Sequence, residues 1–112
     1  MDLVTKSSTP EQSVSHDPDI KKRVFLKDGD VPGILQWATT TIGPGMTVSD
    51  HKHDDAREIF QVVEGSLEAT VNGNQYALHE GDLLVVDPGE QHSFGNGGSQ
   101  ICIIIYTLML AT

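Results

Sequence analysis

Apolar residues along this chain come in short runs, most of them alternating with polar positions, and turn residues recur about every eight to twelve positions. Lys21-Lys22-Arg23-Val24-Phe25-Leu26-Lys27 predicts a first strand, closed by Asp28-Gly29-Asp30. The Val31-Pro32-Gly33 turn leads into Ile34 to Ile42, a β-branched strand on which Leu35, Trp37, Thr39 and Thr41 share one face. Gly43-Pro44-Gly45 breaks it. Glu58-Ile59-Phe60-Gln61-Val62-Val63 reads as another strand. Asn72-Gly73 is a strong hairpin signal, because a type I′ turn needs positive φ at both central positions. Pairing outward sets Val71 against Asn74, Thr70 against Gln75, Ala69 against Tyr76, Glu68 against Ala77 and Leu67 against Leu78. Leu67, Ala69, Tyr76 and Leu78 then form the core face of the hairpin, and Glu68, Thr70, Gln75 and Ala77 the wet one.

Leu83 to Val86 is apolar on both faces, and Gln91 to Asn96 makes a short strand with His92, Phe94 and Asn96 on one side. The last element, Gln100 to Leu110, is also apolar on both faces, which a strand wetted on one side should not be. A facing sheet covers part of it, and a second copy in a homodimer is expected to cover the rest. About eight to nine strands and no helix of standard length predict an all-β sandwich or barrel.

Composition narrows the functions open to this fold. With 112 residues the chain suffices for one core and not for two. Residues 1–20, rich in Ser, Thr, Asp and Pro without apolar period, read as a mobile tail, with His16 a solvated residue inside it. Residues 21–112 make up the β domain. A net charge of −9 disfavours nucleic acid and anionic membranes as partners. No apolar stretch has the length of a membrane-spanning helix and no signal-peptide core is visible, so a cytoplasmic location is expected. Cys102 is the single cysteine, which excludes a disulfide within the chain, and its apolar setting predicts a buried, inert thiol.

The chemistry concentrates between Gly45 and Gly65. His51 and His53 point to one side of an extended backbone, with Lys52 opposite, and Glu58 follows on the next strand. Imidazoles with a carboxylate suit a first-row divalent metal. Asp50, Asp54 and Asp55 flank the histidines and read as solvated loop acids, and His79 as a turn residue at the surface.

The spacing resembles that of the cupins. Their first motif is a glycine, five residues, His-x-His, three or four residues, Glu, six residues and a glycine, and Gly45, His51, His53, Glu58 and Gly65 occupy those positions. The second is a glycine, five residues, Pro-x-Gly, two residues, His, three residues and Asn, matched by Gly81, Gly89, His92 and Asn96. Position 87 departs from it, with Asp87 where the motif has proline and Pro88 directly before Gly89. The resemblance covers the chain after about its first twenty residues. It implies a jelly roll of the double-stranded β-helix type forming a single small barrel. It also implies one divalent metal (Fe, Mn, Ni, Zn or Cu) per chain, held by His51, His53, Glu58 and His92. Asn96 matches a motif position and equally suits backbone hydrogen bonding in its loop.

Four protein ligands leave two positions open on an octahedral ion, the form of a catalytic rather than a structural site. Alternation places Leu35, Trp37, Phe60, Val62, Leu67, Ala69, Tyr76 and Phe94 inward, an apolar lining without a cation. Such a pocket disfavours a phosphorylated sugar and suits a small neutral or chelating molecule. Tyr76 is the candidate catalytic donor or acid, or else a hydroxyl tied to a barrel carbonyl. A dioxygenase leads these readings, beside a redox-neutral isomerase or lyase and a non-catalytic module that binds or senses a small ligand.

Overall fold

A computed structural model describes residues 1–15 and 17–111; His16 lies outside the described residues. A 3-10 turn (Lys6–Ser8) precedes ten strands: β1 (Gln12–Val14), β2 (Asp17–Val31), β3 (Ile34–Ile42), β4 (Thr47–His51), β5 (Ala56–Glu64), β6 (Leu67–Val71), β7 (Asn74–Leu78), β8 (Leu83–Val86), β9 (His92–Gly95) and β10 (Cys102–Leu110). They form two antiparallel sheets, one in the order β1-β2-β3-β10-β5-β8 and the other β4-β9-β6-β7. The sheets face each other as a jelly roll. Among the described residues no ladder joins them, and the sheets meet through packing and a few side-chain hydrogen bonds, Ser49 with Asp17 and His92 with Glu58. No helix among these residues is long and apolar enough to cross a membrane.

Strand structure begins earlier than the sequence pattern predicts. β1 and the first residues of β2 fall in the segment read as a tail, and Ile20 is buried. This pairing is tertiary in origin: Lys21 Nζ donates to Ser13 Oγ at 2.9 Å, and Arg23 Nη1 to the Thr9 carbonyl at 2.6 Å. A polar strand at a sheet edge has no hydrophobic period to betray it.

The hairpin has the expected register, pair for pair. Asn72 (φ 48°) and Gly73 (φ 82°) both take the left-handed conformation that its turn demands. Leu67, Ala69 and Leu78 enter the core as expected, but Tyr76 does not and remains 48% exposed. It lies on β7, the edge strand of its sheet, where nothing packs beyond it.

The face of β3 is reversed from the sequence reading. Ala38, Thr40 and Ile42 are buried, whereas Trp37 is 42% exposed and Leu35 only half-buried. Period-two alternation defines two faces without saying which is inner, and a strand with apolar residues on both does not choose between them. Trp37 instead joins an outward row across four strands, with Thr107 of β10, Ile59 of β5 and Val85 of β8.

β10 lies between β3 and β5 and sends Cys102 and Ile104 into the core with Ile42, Phe60, Val62, Leu67, Ala69, Leu78, Val86 and Phe94. Each large side chain fully buried there contributes about 1.5–3 kcal/mol. Cys102 is fully buried, and burial pushes its thiol pKa up, in keeping with an inert role. The core seals one end of the sandwich; Tyr106 and Leu108, further along β10, line a cavity at the other.

Candidate metal centre

Three strands deliver the site. His51 ends β4, His92 opens β9 and is its ladder partner, and Glu58 is the third residue of β5 on the opposite sheet. His53 follows in the β4–β5 loop, its carbonyl accepting from the Gly89 N–H at 2.8 Å. That hydrogen bond ties the first motif to the turn where Asp87 replaces the motif proline. Asp87 also accepts from Arg57 Nε at 2.9 Å, while its own N–H donates to Glu90 Oε1 at 2.7 Å. Side-chain bonds thus shape the turn that proline shapes elsewhere, and His92 keeps its place.

Glu58 and His92 are buried, at 6% and 1% exposure. Glu58 Oε1 lies 2.9 Å from His92 Nε2, 3.4 Å from His53 Nε2 and 3.7 Å from His51 Nε2. One ligand atom each from His51, Glu58 and His92 lies within 4.8 Å of the others; His53 stands outside this tightest group. The His51 and His92 rings are 4.2 Å apart and those of His51 and His53 5.5 Å. Phe60 packs its edge on His92 and on Phe94, fixing the floor of the site.

The tautomers follow from the neighbours. His51 Nδ1 is 2.8 Å from the Ser49 carbonyl and His92 Nδ1 is 3.0 Å from that of Glu90. A carbonyl oxygen only accepts, so each Nδ1 carries the proton and each neutral ring turns a lone pair at Nε2 toward Glu58. Two lone pairs and a carboxylate then converge, an arrangement that repels itself unless a proton or a cation sits between them. This donor set fits a divalent ion, with backbone carbonyls as the outer partners that orient the ligands. Asp50, Asp54 and Asp55 take no part in that orientation: they are exposed, and Asp54 lies near Lys52 at 3.7 Å.

Electrostatics in the metal-free chain agree. Burial pushes the Glu58 carboxyl up, but contacts with His51 and His92 and the positive potential of His92 and His53 outweigh it and hold the pKa at about 2. His51 is raised by contact with the Glu58 carboxylate, against burial, with the Ser49 carbonyl adding to the rise.

Beside these groups lies a cavity of about 240 Å³, whose lining includes Lys22, Gln36, Thr40, Phe60, Phe94, Ile104, Tyr106 and Leu108 with His51, His53 and Glu58. Two sequence expectations fail here. Tyr76 is not among the lining residues; the phenol that enters is Tyr106, whose pKa is pushed up by burial and then by the charge of Glu58. The lining also holds a cation, Lys22, whose pKa burial lowers while Glu58 opposes the shift. Lys21-Lys22-Arg23 is cationic at every position, so alternation gives no sign that Lys22 alone turns inward. Tyr106, on a strand apolar on both faces, offers none either. Outside the site, His79 is a surface residue, 3.5 Å from Asp82. Asn96 is buried, its amide donating to the Ile42 and Gln100 carbonyls at 2.9 and 2.8 Å and accepting from the Gly98 N–H, so its role is to lock the loop before β10.

Histidines and a glutamate gathered beside an internal cavity make a candidate metal site on a small jelly roll. The Cupin domain model matches residues 38–108, and the chain belongs to the cupin family. It is 37% identical over 81 residues to the HTH-type transcriptional regulator PuuR of Escherichia coli, covering 72% of this chain and 44% of that protein. It is 32% identical over 66 residues to quercetin 2,3-dioxygenase of Bacillus subtilis, covering 59% of this chain and 20% of that protein. The chain therefore spans less than half the length of these relatives. In fold it is similar to a predicted oxalate decarboxylase from Thermotoga maritima, with a TM-score of 0.88 at 23% identity over 97% of this chain and 99% of that one.

Proposed function

We propose that the chain holds one divalent first-row metal through His51, His53, Glu58 and His92, and acts through it on a small organic molecule, with dioxygenase-type chemistry as the leading reaction. The observation that carries this reading is the convergence of carbonyl-anchored imidazoles on a buried carboxylate beside a cavity. A metal held by these four residues would supply an electrophilic centre beside that cavity. Phe60, Phe94 and Ile104 give the cavity apolar surface beside the ligands. Tyr106 keeps its proton at neutral pH, so its hydroxyl serves as a hydrogen-bond donor to the bound molecule. It takes the role that the sequence reading gave to Tyr76. A volume near 240 Å³ lies below the roughly 300–1,000 Å³ of sites for drug-sized ligands, which favours compact metal-chelating substrates over flavonols.

Metal analysis of protein purified without chelators, with an oxygen-uptake screen over such compounds, tests the reaction. Iron-loaded protein should consume oxygen with at least one of them, and Tyr106→Phe should slow turnover by about 10-fold or more at unchanged metal content. Native zinc, or no uptake across the panel, removes oxygenation and leaves a redox-neutral isomerase or lyase. The match to a transcriptional regulator favours a second reading, a module that binds or senses a small ligand without turning it over. Ligand binding without any product would decide for it.

The assembly we propose is a homodimer formed through the outer face of the six-stranded sheet. Trp37, Leu83 and Val85 are 42%, 53% and 46% exposed there, beside half-buried Ile103 and Ile105. Unpartnered apolar surface of this kind marks an interface. Light scattering at micromolar concentration should give twice the chain mass, and Trp37→Lys should give the monomer; a monodisperse wild-type monomer refutes the dimer.

A further inference from the structure

Lys22 sits where a lysine is expensive to keep. Its neighbours on β2 point outward and are satisfied, Lys21 on Ser13 and Arg23 on Thr9 and Glu11. Lys22 itself pairs with Thr40 in the β2–β3 ladder and points with it into the cavity. Among the described residues its ammonium has neither a hydrogen bond nor an ion-pair partner in contact, and the Tyr106 hydroxyl and the Gln36 amide have no hydrogen bond either. Among the described residues no fully buried side-chain polar atom lacks a partner, so these unpaired heads are accessible, and all three residues line the cavity. Burial already disfavours the charge on Lys22, a penalty that a bound anion would offset.

Charge balance points the same way. Among the described residues Glu58 is the only carboxylate lining the cavity, and the reading above commits it to the metal. A divalent ion offset by Glu58 leaves one net positive charge, and Lys22 adds a second within the same small, largely apolar space. That excess calls for an anion from outside the chain.

We propose that Lys22, with Tyr106 and Gln36, forms an anion subsite facing the metal, and that the cavity takes a small organic acid of the 2-hydroxy or 2-oxo carboxylate class. The carboxylate pairs with Lys22, the Tyr106 hydroxyl and the Gln36 amide donate to its oxygens, and the second oxygen of the acid turns to the metal. The proposal rests on the metal reading for that second contact and on this chain's own residues for the first.

Calorimetric titration of lactate, pyruvate and the neutral isostere lactamide separates the two. It is run on wild type, Lys22→Met and Lys22→Arg, each Mn(II)-loaded and metal-free, with metal content measured and folding checked by circular dichroism. Metal-loaded wild type should bind lactate or pyruvate roughly 10- to 100-fold tighter than lactamide, the range of one charge-assisted hydrogen bond. Lys22→Met should lose that preference at equal metal content, and Lys22→Arg should keep most of it. An undiminished preference in Lys22→Met means that the metal alone reads the anion, which overturns the subsite and leaves the metal reading intact. Equal affinity of wild type for lactate and lactamide, or no binding of either acid, also overturns it. Should wild type hold no metal, the metal reading fails and the metal-free titrations decide: a Lys22-dependent preference for the acids upholds the subsite, and its absence ends it. If Lys22→Met does not fold, Lys22→Gln replaces it in every comparison.

Discussion

Gly65→Ala should destabilise the fold by about 3 kcal/mol or more, while Gly73→Ala should lower it by only about 1–2 kcal/mol. Both glycines have φ of 82°, so both substitutions meet the same backbone penalty. They differ in what a Cβ would touch. At Gly73 nothing lies within 4 Å, whereas at Gly65 the new carbon would sit 2.4 Å from the Ile101 carbonyl oxygen and 3.1 Å from Cys102 Cα. Those atoms are backbone and cannot rotate away. Relief requires β10 to move at its start, beside the fully buried Cys102, and that disturbs the core shared by both sheets. The glycine that closes the first cupin motif therefore has a packing duty as well as a conformational one. Urea denaturation of the two variants and wild type measures the difference; equal losses would show that β10 yields freely and that the close approach is unimportant.

What could be read from the sequence, and what could not, divides along a physical line. Features fixed by local chemistry were legible: the Asn72-Gly73 turn and its five-pair register, the limits of β3 at Ile34 and Ile42, and the spacing that brings His51, Glu58 and His92 together. Each depends on a few adjacent residues or on an alternation that tertiary structure cannot alter. Features that depend on which face meets the other sheet were not. β3 and β10 are apolar on both sides, so alternation alone gives Trp37 and Tyr106 no direction, and Trp37 faces outward against the inward placement expected. Tyr76 shows a second limit, because a core-side position on an edge strand is buried only as far as the opposite sheet extends. Lys22 shows a third. A cation inside an apolar cavity runs against composition-based reasoning, and departures from local rule of this kind concentrate at functional sites.

The largest functional effect is expected at the ligands, and it carries a pH signature. In the metal-free chain Glu58, held at about 2 against 4.5, adds stability that is present above 4.5 and lost as pH falls toward 2. His51 has a raised pKa, so its contribution is full below 6.5 and is lost as pH rises through its folded value. The ligand cluster thus supports the metal-free fold best between about pH 4.5 and 6.5, where protons fill the space between the imidazoles and the carboxylate. Metal must displace those protons, so it should bind tightly above that window and be lost within it. Metal at about a hundredfold over Kd adds some 2.7 kcal/mol, which raises Tm by roughly 10 °C or more in a domain of this size. That gain should appear at pH 8 and largely vanish at pH 5.5. His51→Ala should lower affinity by more than about 100-fold, since even outer-shell changes cost 10- to 100-fold, and should leave the β signal of the half-buried site intact. His53→Ala decides the membership of the fourth ligand. Its Nε2 is 3.4 Å from Glu58 Oε1 but it stands outside the tight group of three, and full metal occupancy in that variant, beside loss in His51→Ala, would reduce the set to His51, Glu58 and His92. A metal-induced rise in Tm as large at pH 5.5 as at pH 8 would mean that the ion binds somewhere other than these histidines.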